Sequence, residues 1–407
     1  MTSRPMHVLV ISRNYPNRVF PHLGLWVQRQ TAELAKTCRM TVFAPVPYCP
    51  PGPLPIGFAK FRRIEPMRLD GSIAVHYPRF LVGPGNTTYR LDAMSYVLGM
   101  RRKLAKLHDD TPIDVIHAHF TYPEGAAATI LGRRFGLPVV ITEHNLWRPW
   151  MDELPRVRRQ ALLALDRADA VVAVSRAAHM NIEAVALRPI PACIVPIGVD
   201  GAAFPLKTLL QGRAHRLLYV GWLNHIKGVD VLLRALALLV ERRPDVRLTL
   251  VGGSAYRNAN RCEQSIHDLV VALRLDANVE FRGPQTETEV ASAMREADVL
   301  VVPSRRESCG SVILEALSSG TPVVVTRSGG PEDIVTDDVG RIVQSDDPAA
   351  LATAIERVLE DPARFEPERL RDHALGRFSW GLLAARYVAI YRHAIEGDVK
   401  CVAAPRS

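Results

Sequence analysis

The chain has 407 residues, about twice the length at which a single hydrophobic core stops growing, so two domains of roughly 150–200 residues each are expected. With 48% hydrophobic and 23% charged residues it has an ordinary globular composition, which excludes a disordered, collagen-like or coiled-coil chain. The net charge of +9 belongs to the first half: residues 1–200 hold 25 Lys and Arg against 15 Asp and Glu, whereas residues 201–407 hold 26 against 27.

Short β-branched runs alternate with helical stretches, the pattern of parallel sheets covered by helices. A first series of strands is predicted at residues 7–12, 40–44, 73–76, 115–119, 139–142, 170–174 and 193–197. Within it, residues 45–55 hold six prolines and are expected to form an irregular loop. A glycine- and proline-marked stretch, 198–213, reads as the interdomain linker. A second series follows at 216–220, 246–251, 279–282, 299–303, 322–326 and 341–343, and after Pro362 the chain reads as helices to about Ile395, the last beginning near Ser379. The expected fold class is α/β, with domains at 1–200 and 201–378 and a terminal helix at 379–396.

No apolar run approaches the ~18–20 residues needed to cross a bilayer, and the apolar patch at residues 7–12 is shorter than a signal-peptide core, so a cytoplasmic protein is expected. The six cysteines are scattered without a close pair, which favours free thiols over a zinc site or a disulfide framework. The basic clusters Lys60, Arg62, Arg63, then Arg101, Arg102, Lys103, Lys106, then Arg156, Arg158, Arg159 suit an anionic membrane surface or an acidic ligand, against the plainer reading of solvated helix faces. No aromatic-interleaved basic stripe or zinc knuckle supports nucleic-acid binding.

Chemistry concentrates after the strands. No GxGxxG follows the first strand, and no P-loop, HExxH or GxSxG is present, which disfavours dehydrogenase, ATPase, metalloprotease and lipase readings. The segment from Ser304 to Val324 reads strand, loop, helix, glycine stop, strand. It delivers Glu307 to a loop at a strand's carboxyl end, and a helix begins near Ser311, where unpaired N–H groups suit a phosphate. Glu315 lies one turn further on the same face, and its acceptor-only carboxylate matches a vicinal diol. Lys227, in a loop after another strand, is a candidate diphosphate clamp, against the commoner reading of a surface charge. Gly329 and Gly330 follow a third strand and allow close backbone approach to a ligand, or simply a tight turn. His119 and His144 end successive strands, where a satisfied structural imidazole is the commoner reading. His117 is expected on the opposite face from His119.

In order and spacing these pieces resemble the family-four retaining glycosyltransferases of the GT-B fold, from Val8 to the final helix. The matched elements are Glu307, Glu315, Ala316, Gly320 and Pro322-Val323-Val324, the Gly221-to-Gly228 Lys loop, Gly329 to Glu332, and Gly198 to Asp200. The resemblance implies two doubly wound Rossmann-like domains facing across a cleft, with the C-terminal helix crossing back to the first. It implies transfer of a sugar from a nucleotide-diphosphate donor, UDP- or GDP-linked, to an acceptor hydroxyl with retention and without a metal; no DxD motif is visible. Glu307, Lys227 and His119 would be catalytic; Glu315 would hold the ribose, and Gly310, Ser311, Gly221 and Gly330 would line the donor. Gly24 and His144 would lie on the acceptor side. Trp222 stands where the family often has a diphosphate-binding Arg, so Arg305 or Arg306 is expected to assist Lys227, and Cys309 replaces a Phe and is expected to pack rather than react. No cofactor is implied. The expected acceptor is a lipid-linked saccharide or other glycolipid of surface polysaccharide synthesis, with peripheral attachment to an anionic leaflet. A nucleotide-sugar-binding protein without catalysis, or another GT-B enzyme such as an epimerase or phosphorylase, is the alternative.

Overall fold

Continuous apolar runs such as Val8-Leu9-Val10-Ile11 and Val299-Leu300-Val301-Val302 are buried on both faces, the signature of central parallel strands. In the computed structural model, which describes residues 4–49, 59–83, 89–147, 151–190, 192–207, 215–253 and 259–398 (259–262 without side chains), the chain divides into two compact units. One comprises Met1–Pro196 with Trp380–Ser407, and the other Ile197–Ser379.

The strands of the first unit are β1 (His7–Ile11), β2 (Arg39–Phe43), β3 (Val46–Pro47), β4 (Met67–Asp70), β5 (Ile73–His76), β6 (Arg79–Phe80), β7 (Val115–His119), β8 (Val139–Glu143), β9 (Ala170–Ala173) and β10 (Ala192–Ile194). Eight of them form one sheet in the order β10-β9-β8-β7-β1-β2-β5-β4. All its pairings are parallel except β4 with β5, an edge hairpin closed at Asp70 and Ile73 that hydrophobic alternation alone did not flag. The proline-rich stretch is also more ordered at its start than expected, since Val46–Pro47 pairs with Arg79–Phe80 as a two-stranded ribbon. A proline is tolerated in so short a pair because its missing N–H faces no ladder partner. Residues 50–55 of that stretch lie outside the described residues.

Helix Trp380–Glu396 belongs to this unit, with Leu383, Tyr387, Ile390 and Tyr391 buried in one core with Val8, Val27 and Val140. An 18-residue bilayer-crossing segment is absent among the described residues: no helix is long and apolar enough.

The second unit holds β11 (Arg216–Val220), β12 (Arg247–Val251), β13 (Val279–Gly283), β14 (Val299–Val302), β15 (Val323–Thr326) and β16 (Gly340–Val343), all parallel, in the order β13-β12-β11-β14-β15-β16. The unit begins at Ile197, and the stretch read as a linker is in part core: Val199 bridges to Ser379, and Phe204 is fully buried among the second unit's apolar residues. Residues 208–213 of that stretch lie outside the described residues.

In both sheets the strand order reverses beside the first strand, between β1 and β7 and between β11 and β14. Loops leaving the carboxyl ends of such strands diverge there and leave room for a ligand. Apart from His119, the last residue of β7, the candidate residues lie on loops or helices that follow strands of these two sheets.

Candidate active site

Two loops meet at the reversal of the second sheet. After β11, Gly221 donates its N–H to the Val251 carbonyl (3.0 Å), and Trp222 projects half-exposed. Asn224 then caps a single 3-10 turn, His225–Lys227, by accepting from the Lys227 N–H at 3.1 Å. Gly228 ends the turn at φ 67°, and a Cβ there would stand 2.0 Å from the Pro303 carbonyl oxygen, so only glycine lets the Lys loop lie against the end of β14. From the other side, β14 delivers Glu307, and the Lys227 ammonium donates to its Oε2 at 2.5 Å. Both side chains are largely buried, at 25% and 13% exposure, where a charge pair is screened less than at the surface.

The Glu307 loop is fastened to the glycine pair. Glu307 N–H donates to the Ser328 carbonyl at 3.0 Å, and Gly330 N–H returns to the Glu307 carbonyl at 2.8 Å. Glu332 locks this segment by accepting from the Gly329 N–H at 2.9 Å. Gly310, left-handed at φ 85°, turns the chain into helix Ser311–Ser318, whose N-terminus carries no side-chain cap. Its first N–H groups therefore keep the anion-binding character of a helix start. Glu315 sits half-buried one turn in. Cys309 is buried, and desolvation pushes its thiol up to about 12, far from the thiolate a nucleophile needs.

Arg305 is placed differently from the expectation that it assists Lys227 at a ligand. Its guanidinium donates to both carboxylate oxygens of Asp230 (2.8 Å each), to Asp346 (2.7 Å) and to the His225 carbonyl (2.5 Å), and its backbone N–H donates to the Ile226 carbonyl at 2.8 Å. Four of its five side-chain N–H groups are thus engaged within the protein. Arg305 braces the Lys loop from beneath, and Asp230, which carried no signal in the sequence, is its main anchor.

In the first unit, Gly24 (φ 69°) opens helix Leu25–Leu34, and a Cβ there would lie 2.1 Å from the Asn14 carbonyl oxygen, so the loop after β1 closes tightly on glycine alone. His119 ends β7 and His144 directly follows β8, and the two bond to each other, Nδ1 to Nε2, at 2.8 Å. His117 does not face away: its ring centroid is 4.4 Å from that of His119, because residues two apart on a strand share a face. His117 Nε2 meets Thr142 Oγ1 at 2.8 Å, and the Tyr391 hydroxyl meets His117 Nδ1 at 2.8 Å, tying β7 and β8 to the terminal helix. Burial drives His117 and His144 down to about 3 and lowers His119 strongly, so all three are neutral near pH 7.

Two features here had no sequence signal. Phe120, directly after His119, holds φ 76°, a conformation costing a non-glycine residue on the order of 1–3 kcal/mol, and its N–H is pinned to the Thr142 carbonyl at 2.7 Å. Glu143 spans both strand ends, accepting from the N–H groups of Thr121 (2.9 Å) and Asn145 (2.8 Å).

The family model for Glycosyl transferases group 1 matches residues 204–375, and that for Glycosyltransferase Family 4 matches residues 24–202. A D-inositol 3-phosphate glycosyltransferase of Corynebacterium aurimucosum is 32% identical over 309 residues, covering 70% of this chain and 73% of the relative. The chain belongs to the family-four glycosyltransferases. Its two Rossmann-like α/β units are those of the GT-B fold, as the motifs implied. Sucrose-phosphate synthase from Thermosynechococcus elongatus superimposes with a TM-score of 0.76 at 21% identity, over 96% of this chain and 99% of that one. HepE of Anabaena, in complex with UDP-glucose, superimposes with a TM-score of 0.70 at 20% identity, over 94% and 99%. In this glycosyltransferase the Lys227–Glu307 pair, the Glu315 helix and the Gly329–Gly330 turn all fall within the group 1 match, and Gly24, His119 and His144 within the family 4 match.

Proposed function

We propose that this glycosyltransferase is a retaining, metal-independent enzyme that takes a sugar from a nucleotide-diphosphate donor held by the second unit. The observation that carries it is the Lys227 ammonium held at 2.5 Å from Glu307, on loops leaving neighbouring strands and beside an uncapped helix start. A diphosphate set at that helix start meets backbone N–H groups and the Lys227 charge together. Both stabilise the negative charge that grows on the leaving group as the anomeric C–O bond breaks. The acceptor oxygen attacks from the same face, and its proton passes to the departing phosphate oxygen, so configuration is retained. Glu315 accepts from the ribose hydroxyls, and Glu307 from a hydroxyl of the transferred sugar. Gly310, Ser311, Gly221 and Gly330 bring backbone to the donor. His119, neutral, is assigned to the transferred sugar, and Gly24 and His144 to the acceptor.

UDP is the favoured nucleotide, since the similar HepE was solved with UDP and with UDP-glucose. The basic first half favours an anionic acceptor. A lipid-linked saccharide at an anionic leaflet is one such acceptor; co-sedimentation with anionic vesicles at low and high salt tests it, and no binding at low salt sinks the membrane arm. A phosphorylated polyol is the other, favoured by the D-inositol 3-phosphate glycosyltransferase relatives. The donor assignment is tested by thermal unfolding with UDP, GDP, ADP and dTDP, for the wild type and Glu315→Ala. Binding at 100 times the dissociation constant adds ~2.7 kcal/mol. Stabilisation by one nucleotide, lost in the variant, supports the ribose role; none with any nucleotide defeats it.

A further inference from the structure

The two imidazoles at the ends of β7 and β8 share one hydrogen bond, and only one proton can lie in it. His119 is 1% exposed and His144 is 7% exposed. No described protein group lies within hydrogen-bond reach of the remaining buried ring nitrogen of His144, Nδ1. Because both rings are neutral, two arrangements exist. In one, His119 Nδ1–H donates to His144 Nε2, which places the His144 proton on Nδ1 as a buried N–H with no described protein group to receive it. In the other, His144 Nε2–H donates to His119 Nδ1, and the unmatched atom is a lone pair. Orphaned buried N–H groups are rarer in folded proteins than under-used acceptors, so the second arrangement prevails. The proton of His119 then resides on Nε2.

The ring of His144 is packed between two aromatic neighbours. Its centroid lies 5.0 Å from that of Phe120 and 6.2 Å from that of Trp26, and Phe120 is itself fixed in its left-handed conformation by the Thr142 carbonyl. Glu143, the residue before His144, anchors the backbone on either side of the pair.

We propose that His144 is a positioning residue that sets His119 as the Nε2–H tautomer, so that His119 offers a hydrogen-bond donor, and not a base, to an oxygen of the transferred sugar. This rests on the role given to His119 above. It differs from a purely structural pair in what it demands of the proton: the opposite tautomer would present a lone pair to the same oxygen and repel it.

The experiment reads the tautomer directly, by nitrogen-15 NMR of the full chain labelled at histidine, in the wild type, His144→Gln and His144→Glu. The wild type should show His119 protonated at Nε2. Glutamine can donate from its amide to His119 Nδ1 and keeps that state, whereas an ionised glutamate only accepts, which draws a proton to Nδ1 and, where the ring stays neutral, leaves Nε2 without one. With UDP-sugar hydrolysis or transfer as the assay, His144→Glu should lower kcat on the order of 100-fold with KM for the donor little changed, and His144→Gln should recover most of that loss. A wild-type His119 protonated at Nδ1 and not at Nε2 overturns the proposal whether or not either variant folds, as does a folded His144→Glu that keeps wild-type kcat while its spectrum shows His119 Nε2 unprotonated. His119→Ala with undiminished kcat would instead remove the role of His119 itself, leaving the tautomer measurement standing.

Discussion

Arg305 grips Asp230 through a fork of two hydrogen bonds, Nη1 to Oδ1 and Nη2 to Oδ2, each 2.8 Å long. A planar guanidinium matches a carboxylate in this geometry, and lysine cannot reproduce it. The fork holds the start of helix Val229–Val240 against the strand end that carries Glu307, with the Lys227 turn between them. Arg305→Gln should therefore cost roughly 2 kcal/mol in urea unfolding and lower donor affinity as the Lys loop loosens. Arg305→Lys should recover little of either. Undiminished donor binding in a destabilised Arg305→Gln would confine the brace to folding.

Lys227→Ala removes the charge proposed to face the diphosphate and leaves Glu307 without its ammonium partner. We expect kcat to fall by about 100- to 1000-fold, the scale of losing one preorganised electrostatic group at a transition state. Steady-state kinetics of the folded variant decide it, and a near-normal turnover would take Lys227 out of the mechanism.

Gly228→Ala tests the same loop through the backbone. At φ 67° and 2.0 Å from a carbonyl oxygen, the added Cβ cannot be accommodated without moving the turn. A stability loss of roughly 3 kcal/mol, with donor binding weakened in step, is the expected result of urea titration and nucleotide-binding measurements.

The buried histidines predict a pH dependence of stability. His117 and His144 titrate near 3 when folded but near 6.5 when unfolded, so below about 6.5 the unfolded chain binds the extra protons. Their contribution is whole above that value and falls as the pH drops towards 3. Asp92 and Glu124, raised by burial to about 6 and about 7, act in the opposite sense between roughly pH 4 and 7 and offset part of the loss. His119, strongly lowered by burial, and His76, lowered to about 4, add to the loss and outweigh that offset, so the urea midpoint should fall from pH 7 to pH 5. His144→Gln should flatten the slope, and an unchanged slope would show that His144 is not neutral in the folded state.

Tyr391→Phe removes a single hydroxyl from the buried pair with His117, which are 2.8 Å apart. The expected cost is about 1 kcal/mol, read as a lower thermal midpoint, and its absence would mean that His117 finds another hydrogen-bond partner.

Much of this protein is legible one segment at a time. Apolar runs of four to six residues located the central strands within a residue or two, because a strand buried on both faces must be apolar throughout. The spacing from Glu307 to Glu315 marked a strand, a loop and a helix start, and the chain builds them. Edge features were harder to see. Met67–Asp70 is half-exposed, and its pairing is decided by a hairpin partner and not by its own pattern. Arg305 illustrates a different limit: a cation near a presumed phosphate site reads as a ligand for phosphate until Asp230, 75 positions earlier, is found beneath it.

By itself the order of residues determined the family, the two parallel sheets and the loops that carry chemistry, since each of these depends on local periodicity and short spacing. Only the tertiary structure decided which charges answer which. Lys227 meets Glu307 across 80 positions, His117 meets Tyr391 across 274, and His119 meets His144 in a bond that leaves one nitrogen unmatched. Hydrogen bonds and ion pairs act over a few ångströms in space, and the chain brings such partners together only when its strands are laid side by side.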